Sequence, residues 1–273
     1  MSKNQNRHIH HSHHHMSFSY PASIRQRLYS LVIVPMAVLV LAFIVVFNLS
    51  SSYIPQVAVL TWGFVIHALF TSFLRLLLAY IIALAIAVPL AILIDKSPRA
   101  EKIFLPLFDV IQSVPVLAFF PVIIIFFVHY NLYNWAAIFI LLITMMWSII
   151  FSIVGGLRVI PQDVKDAAKV FGLTGFDYWK KVLIPAVFPY IVTGSLLAWA
   201  GGWNIIIVAE VLHTYLPGSP DLFGIGSLLV AASERGQQHA FFMALIALVI
   251  FVALLNFFVW QKLLKFSEKF KFE

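Results

Sequence analysis

Long apolar runs alternate with short polar segments along most of this chain. Six runs are each about twenty residues or longer, which is the length that an α-helix needs to cross a bilayer. They cover residues 28–49, 68–94, 104–128, 135–154, 186–212 and 240–264. Pro89 lies inside the second run, and Pro106, Pro115 and Pro121 interrupt the third. The pattern predicts an all-α polytopic membrane protein with six transmembrane helices.

Composition agrees with this prediction. Of the 273 residues, 62% are hydrophobic and 11% are charged, whereas a soluble domain has about half and about a quarter. Mean hydropathy is +0.97. The chain has no cysteine, which excludes a disulfide framework, a thiol nucleophile and a cysteine metal site.

The net charge of +7 is distributed very unevenly. With six spans and a cytoplasmic amino terminus, all of the 18 basic residues except Arg75 and Arg235 fall on cytoplasmic segments or tails. Basic residues in short loops favour the cytoplasmic side. We therefore predict a bacterial inner-membrane protein with both termini in the cytoplasm. This bias accounts for the basicity without a nucleic-acid partner.

The amino-terminal tail is rich in histidine. Six of the ten histidines lie between His8 and His15. Such a tract is either a disordered tail, or a remnant of cloning, or a metal-binding segment. We predict no metal site, and we divide the chain into a polar cytoplasmic tail (1–24), a first span with an external linker (25–66), a core (67–265) and a basic cytoplasmic tail (266–273).

The longest polar stretch between spans is residues 163–185, DVKDAAKVFGLTGFDYWKKVLIP. A short helical pattern begins at Asp166, and Gly172 interrupts it. A second short run, 176–181, leads to Pro185, which is tolerated in a first turn and ends the preceding element. We predict a helix-turn-helix outside the bilayer, between spans four and five. The alternative is an amphipathic segment lying on the lipid headgroups.

This stretch resembles the cytoplasmic loop of permease subunits of bacterial ABC importers. Their pattern is E-A-A, three residues, Gly, nine residues and I-x-L-P. Asp166-Ala167-Ala168, Gly172 and Val182-x-Ile184-Pro185 follow that spacing, with Asp166 in place of Glu and Ile184 in place of Leu. The resemblance implies a type I ABC importer permease fold with a coupling helix in loop 159–185. It implies that the following residues contact an ATPase: Asp166, Ala167, Ala168, Gly172 and Pro185.

Other motifs are similar to those of the nitrate, sulfonate and taurine permease group. They are Ser72-Phe73-Leu74-Arg75, the pair Pro115 and Pro121, and Trp203-Asn204 followed by Ala209-Glu210. This likeness implies import of a small anion such as nitrate or a sulfonate. It also implies separate ATPase subunits that bind ATP-Mg, a second permease subunit and an extracytoplasmic solute-binding protein. This chain itself would bind no cofactor.

Polar residues inside apolar runs are candidates for the translocation path. Ionisable groups in spans are costly and are often functional; Arg75 and Glu210 either pair with each other structurally or lie near an anion's path. Gln112 and Ser113 precede prolines that free backbone carbonyls, which need protein or a lined cavity as partners. The predicted path residues are Arg75, Gln112, Ser113, Pro115, Pro121, Asn204 and Glu210. Gly194, Ala198 and Gly202 share one helix face, for packing within the subunit or between two subunits.

No enzyme site is evident in the sequence. It has no Gly-Lys-Ser/Thr nucleotide-binding motif and no His-Glu-x-x-His, so we predict that ATP hydrolysis belongs to another chain. Three alternatives remain open. They are the transmembrane component of an energy-coupling-factor vitamin importer, an ion-driven secondary transporter and an intramembrane enzyme.

Overall fold

The computed structural model describes residues 61–270. The predicted histidine-rich tail, the predicted first span 28–49, most of the external linker and residues 271–273 lie outside these described residues. Within 61–270 the chain is helical and contains no strand. Four helical stretches are long and apolar enough to cross a membrane, and a bent pair of helices would make a fifth span. An all-α membrane protein is therefore confirmed for this part of the chain.

The first helix, α1 (Trp62–Lys96), is 35 residues long. Thr61 caps it, because its Oγ1 accepts a hydrogen bond from the Phe64 N–H at 3.4 Å. At a rise of 1.5 Å per residue, α1 extends about 50 Å, well beyond a hydrocarbon core of about 30 Å. The prediction placed its start at residue 68. It was wrong by six residues because the apolar run after Thr61 already belongs to the helix.

The third predicted span is two helices. Helix α2 (Pro98–Ser113) is capped by Ser97, and after a 3₁₀ turn (Val116–Phe119) the chain continues as α3 (Phe120–His129). The two halves are bent by 79°. Only Pro115 interrupts the helix, since Pro121 occupies the first turn of α3, where a missing N–H costs nothing. The predicted break at Pro121 was therefore wrong, whereas the break at Pro115 is present, and the two halves together would make the predicted third span.

Helix α4 (Tyr133–Val159) is the centre of the bundle and packs against α1 and against α7 (Ile184–Glu210). The prediction ended this span before Gly155-Gly156, but the helix continues for five residues past 154. Gly156 lies against the ring of Tyr190 on α7, where a Cβ would come within 2.8 Å of the Tyr190 Cβ. This glycine allows close packing and does not end the helix.

The polar loop holds two short helices, α5 (Gln162–Val170) and α6 (Gly175–Tyr178). A π turn (Trp179–Leu183) joins α6 directly to α7. The Ile184 N–H bonds the Trp179 carbonyl five residues back, and this wider turn accommodates Pro185, which has no N–H to donate. The predicted stop before Pro185 was therefore wrong. The membrane-length stretch begins at Trp179 and ends at Glu210.

The last part of the described chain contains α8 (Ile225–Glu234), α9 (Gln238–Leu255) and α10 (Gln261–Ser267). A π turn (Asn256–Trp260) and a terminal 3₁₀ turn make one continuous stretch from Gln238 to Phe270. The predicted span, 240–264, was too short at both ends. Helix α8 was not predicted, because the sequence there was treated as a loop.

Small residues bring the helices together. A Cβ on Gly194 would lie 2.8 Å from the Ser152 Cβ on α4, and one on Gly202 would lie 2.7 Å from Leu76 on α1. The predicted small-residue face of α7 therefore packs inside the subunit. We call the end of the bundle where α7 ends and α4 begins the Glu210 end. The opposite end, where α4 ends and α5 lies, is the Asp166 end.

Candidate functional site

A buried ion pair joins the longest helix to the end of α7. The Arg75 Nη1 donates to the Glu210 Oε1, and both residues are at most 1% exposed. Ser72, almost one turn before Arg75, donates from its Oγ to the same carboxylate oxygen at 2.7 Å. The pairing considered in the sequence is therefore present. Charges buried in this way are tolerated only when they are paired and hydrogen-bonded.

Three further elements contribute to this cluster. The Arg75 Nη2 donates to the Asn134 Oδ1 on α4 at 3.0 Å and to the Phe223 carbonyl at 3.3 Å. The Gly226 N–H, in the first turn of α8, donates to the Glu210 Oε2 at 2.8 Å. The carboxylate thereby also meets the positive end of the α8 dipole. The cluster fastens α1, α4, α7 and α8 at one point, which makes the Glu210 end a fixed structure.

Two glycines make room for the carboxylate. A Cβ on Gly224 would overlap the Glu210 carboxylate, and a Cβ on Gly226 would lie 2.6 Å from the Ile207 Cα. The sequence analysis did not single out Asn134, Gly224 or Gly226 as site residues. It overlooked the signal for a short packed helix, which is Gly-x-Gly before the run SLLVAAS, with Gly236 after that run.

A second charged group lies on the connection between α7 and α8. The His213 Nδ1 is 2.6 Å from the Asp221 Oδ2, its Nε2 is 3.5 Å from Glu234, and its backbone N–H donates to the Asp221 Oδ1. The hydrogen bond to Asp221 raises the pKa of His213 above its usual value. In residues 61–270 no group of three or more His, Asp or Glu side chains could hold a metal ion.

The bend between α2 and α3 brings together four predicted path residues. Gln112 and Ser113 end α2, Pro115 lies in the break and Pro121 begins α3, and all four are exposed. Gln112 donates to the Asp109 carboxylate at 3.1 Å. Two of the remaining predicted path residues, Arg75 and Glu210, are instead buried in the ion-pair cluster.

The last predicted path residue, Asn204, lies on α7, almost two turns before Glu210. It is exposed, and its amide has no hydrogen-bond partner among residues 61–270. A separation of six residues turns a helix by about 240°, so Asn204 and Glu210 point in different directions. The predicted set therefore divides into a buried cluster and exposed positions.

The polar loop places its motif on an exposed helix. Asp166 accepts from Lys169 at 2.8 Å and from Gln162 at 3.1 Å. The hydrogen bond from Lys169 lowers the pKa of Asp166, and the same bond raises the pKa of Lys169. Ala167 is exposed, whereas Ala168 is buried at 4%.

Gly172 ends α5 in a left-handed conformation with φ of +68°. The Gly172 N–H bonds the Lys169 carbonyl and the Leu173 N–H bonds the Ala168 carbonyl, both at 2.9 Å. This is the Schellman arrangement that favours glycine. It leaves Val170 and Phe171 projecting into the surroundings, with exposed fractions of 85% and 79%.

An exposed ion pair lies between α4 and α2 at the same end. The guanidinium of Arg158, in the last turn of α4, meets the carboxylate of Glu101, in the first turn of α2. Their side chains are 54% and 34% exposed. The pair connects the helix that precedes α5 to the first half of the bent pair.

These features define a class of protein: a polytopic helical membrane protein with a polar loop that projects from one end of its bundle. Comparison with known sequences makes the assignment more specific. The family described as binding-protein-dependent transport system inner membrane component matches residues 83–265. The chain therefore belongs to this family of importer permeases.

Individual relatives support the same family assignment. The chain is 34% identical to the nitrate import permease protein NrtB of Leptolyngbya laminosa over 185 residues, 68% of this chain and 63% of the relative. It is 30% identical to the bicarbonate transport system permease protein CmpB of Synechococcus elongatus over 188 residues, 69% and 64% of the two chains. A putative ABC transporter permease of Methanocaldococcus jannaschii is 26% identical over 220 residues, 77% and 79% of the two chains.

The match spans less than two thirds of the length of NrtB and CmpB. It confirms the predicted recognition of an ABC importer permease of the nitrate group. Permease subunits of this family are not themselves enzymes.

Proposed function

We propose that this chain is the permease subunit of an ATP-driven importer and that α5 is its coupling helix. The observation that carries the proposal is the tip of α5, where Val170 and Phe171 are the two most exposed large apolar side chains of residues 61–270. They belong to a loop rich in Asp and Lys, which favours water over lipid. Exposed apolar side chains with a charged surround are typical of protein docking sites.

The partners follow from this proposal. ATPase subunits that carry ATP-Mg dock on α5 through Asp166, Ala167, Gly172 and the exposed tip, while Ala168 is buried and Pro185 lies in the first turn of α7. One permease with one coupling loop serves one ATPase, so a second permease subunit completes a transporter with two ATPases. A solute-binding protein delivers solute to the Glu210 end.

The proposed topology is the predicted one. Six spans, with residues 28–49 as the first, place both termini and the Asp166 end in the cytoplasm. Support comes from the charges at that end, where Arg158, Lys165, Lys169, Lys180 and Lys181 flank or occupy the loop. The Glu210 end has Arg235 as its only basic residue outside the Arg75 cluster within residues 61–270.

The proposed substrate is a small inorganic anion such as nitrate or bicarbonate. The names of the relatives NrtB and CmpB support these two solutes over the sulfonate considered from the sequence. Arg75 lends no support to an anion site, because two of its three guanidinium nitrogens are already hydrogen-bonded and the residue is buried.

The experiment is purification of the chain with its ATPase subunits in detergent, for the parent and for Phe171→Ala. Loss of a hot-spot aromatic ring weakens an interface by about 2 kcal/mol, or roughly 30-fold in affinity. We expect Phe171→Ala to lose most of the recovered ATPase activity. Tyr130→Ala, which removes an exposed ring at the Glu210 end, is the matched control and retains it. Equal recovery from both variants, or no ATPase with the parent, contradicts the proposal.

A further inference from the structure

The last helical stretch of the described chain is longer than a bilayer core. Residues 240–260 are apolar except for Asn256, and at a rise of 1.5 Å per residue they extend about 31 Å. This length matches a hydrocarbon core of about 30 Å, and Asn256 lies only about 6 Å before the end of the run. The stretch continues to Phe270. Helix α10, which begins at Gln261, therefore lies at the level of the headgroups or beyond them.

Helix α10 and the 3₁₀ turn that follows it (Glu268–Phe270) carry three lysines on one side. Lys262, Lys265 and Lys269 are all exposed, and at 100° per residue their directions fall within about 60° of one another. None of them has an ion-pair partner among residues 61–270. We call these three residues the lysine row.

Another side of α10 packs against the beginning of α7. The rings of Phe266 and Phe270 lie with their centroids 5.8 Å and 5.4 Å from that of Phe188. Ser267 is buried at 2%. These packed residues face about 120° away from the middle of the lysine row. The aromatic contacts therefore fix the orientation in which α10 presents its lysines.

The lysine row continues an exposed apolar surface of the span. Phe257 and Phe258, in the π turn before α10, are 60% and 53% exposed, and the Lys262 Nζ lies 5.4 Å from the centre of the Phe258 ring. The Lys269 Nζ lies 5.8 Å from the centre of the Phe266 ring. A lysine whose stem follows an apolar surface while its ammonium group reaches the headgroups is typical of a membrane interface. This continuity favours lipid over a protein as the occupant of the row.

Other basic residues at the Asp166 end are arranged differently. Three of them are paired with carboxylates: Arg158, Lys169 and Lys181. Arg99 and Lys102 flank Glu101 in the first turn of α2. In α10 and the turn after it, the one acidic residue is Glu268, which is exposed and forms no ion pair within residues 61–270. In that part of the chain, the row is the largest group of unpaired positive charges on one helix face.

We propose that the lysine row is a binding site for the phosphate headgroups of anionic lipids in the cytoplasmic leaflet. The inference relies on the proposed topology, which places the Asp166 end in the cytoplasm. Clusters of four or more basic residues just beyond a span are typical of anionic-lipid recognition, and Lys271 follows the three lysines of the row in the sequence. The headgroups complement the charge of the row, and their acyl chains would contact Phe257 and Phe258.

The test uses the full chain, purified without ATPase subunits in a neutral detergent. Phosphatidylglycerol, which is anionic, and phosphatidylcholine, which has no net charge, are titrated separately while the unfolding midpoint is followed. One variant combines Lys262→Gln, Lys265→Gln and Lys269→Gln, and a second replaces the same three lysines by arginine. Arg99→Gln with Lys102→Gln is the matched control, because it removes exposed positive charges from another helix at the same end.

We expect phosphatidylglycerol to raise the midpoint of the parent more than phosphatidylcholine does. Each lysine near an anionic surface contributes about fivefold in affinity, so the triple glutamine variant should bind phosphatidylglycerol roughly a hundredfold more weakly. The triple arginine variant keeps the charge and should keep the affinity. The Arg99 and Lys102 control should also keep it.

Equal phosphatidylglycerol affinity in the parent and the triple glutamine variant overturns the proposal. An equal loss of affinity in the Arg99 and Lys102 control also overturns it, because the lipid would then respond to general surface charge. If the triple glutamine variant keeps its lipid affinity but recovers no ATPase, the row is a protein contact instead. No ATPase takes part in the lipid titration, so a negative lipid result leaves ATP-driven uptake, and with it the proposed function, intact.

Discussion

The two ends of this bundle handle charge in opposite ways. At the Glu210 end, Arg75 and Glu210 are buried and bonded to Ser72, Asn134 and the start of α8. At the Asp166 end, the ion pairs are exposed, and the loop projects apolar side chains outward. Internal contacts satisfy the buried charges at one end, whereas the other end leaves its charges and several apolar side chains exposed. Under the proposed function both arrangements are needed, because a force applied to the loop requires a helix that is anchored elsewhere.

The largest effect on stability is expected from a substitution in the buried pair of Arg75 and Glu210. Glu210→Ala leaves Arg75 charged and unpaired in the interior, which typically costs about 3–5 kcal/mol. We expect loss of most folded protein, measured by thermal unfolding of the purified chain in detergent. The double variant Arg75→Met with Glu210→Leu removes both charges and should recover much of that loss. A single variant as stable as the parent would contradict the role of this cluster.

The substitution Gly224→Ala changes only side-chain volume at the Glu210 end. The φ of Gly224, 176°, is ordinary extended backbone, so Gly224→Ala acts only through the overlap of the new methyl group with the Glu210 carboxylate. Overpacking of this kind costs about 1–3 kcal/mol. Gly63→Ala is the control, because nothing lies within 4 Å of a Cβ there. We expect the unfolding midpoint of Gly224→Ala to lie below that of the parent. The midpoint of Gly63→Ala should equal that of the parent or exceed it.

At the Asp166 end, Gly172→Val places a β-branched residue at φ of +68°, which costs about 1–2 kcal/mol. Because nothing lies within 4 Å of a Cβ on Gly172, the exposed turn can open and relieve this strain locally. We therefore expect membrane insertion to be unchanged and the unfolding midpoint to fall less than in Gly224→Ala. Under the proposed function, transport per ATP hydrolysed in proteoliposomes should fall. Gly172→Asn, which tolerates the left-handed conformation better, should lose less. Unchanged coupling in the valine variant would count against the role of this turn.

The smallest expected effect concerns His213. Its pKa is raised in the folded chain, so its stabilisation is fully present below the usual pKa of about 6.5 and is lost as pH rises through the folded value. The ring is 39% exposed, and solvent screening limits the effect to roughly 0.5 kcal/mol. Unfolding midpoints of the parent and Asp221→Asn between pH 5 and 9 should differ most at the acidic end. A constant difference across this range would exclude the titration of His213 as its cause.

Patterns close together in sequence predicted much of this structure. Apolar runs located the long helices, and the spacing of Asp166, Gly172 and Pro185 located the polar loop and the glycine that ends its first helix. The pairing of Arg75 with Glu210 was one of the two alternatives considered, because opposite charges inside spans require partners. These features depend on residues whose roles follow from local chemistry or from charge alone.

The features that were missed depend on distant residues. Helix α8 is ten residues long, too short for its periodicity to be distinguished from a loop rich in glycine. Asn134 and Gly226 join the cluster only because folding brings four elements to Arg75. The continuation of α6 into α7 depends on a π turn, a departure from helical periodicity that composition does not reveal.

That continuation has a mechanical consequence. From Gly175 to Glu210 the helical turns follow one another without a gap, a rod of roughly 50 Å. Its Glu210 tip is held by the Arg75 cluster. A sideways displacement of its Gly175 tip can therefore be accommodated in two ways. Either the rod pivots about the anchored tip and sweeps the side chains along its middle through an arc, or it flexes at Trp179–Leu183, where the looser turn is its most compliant joint.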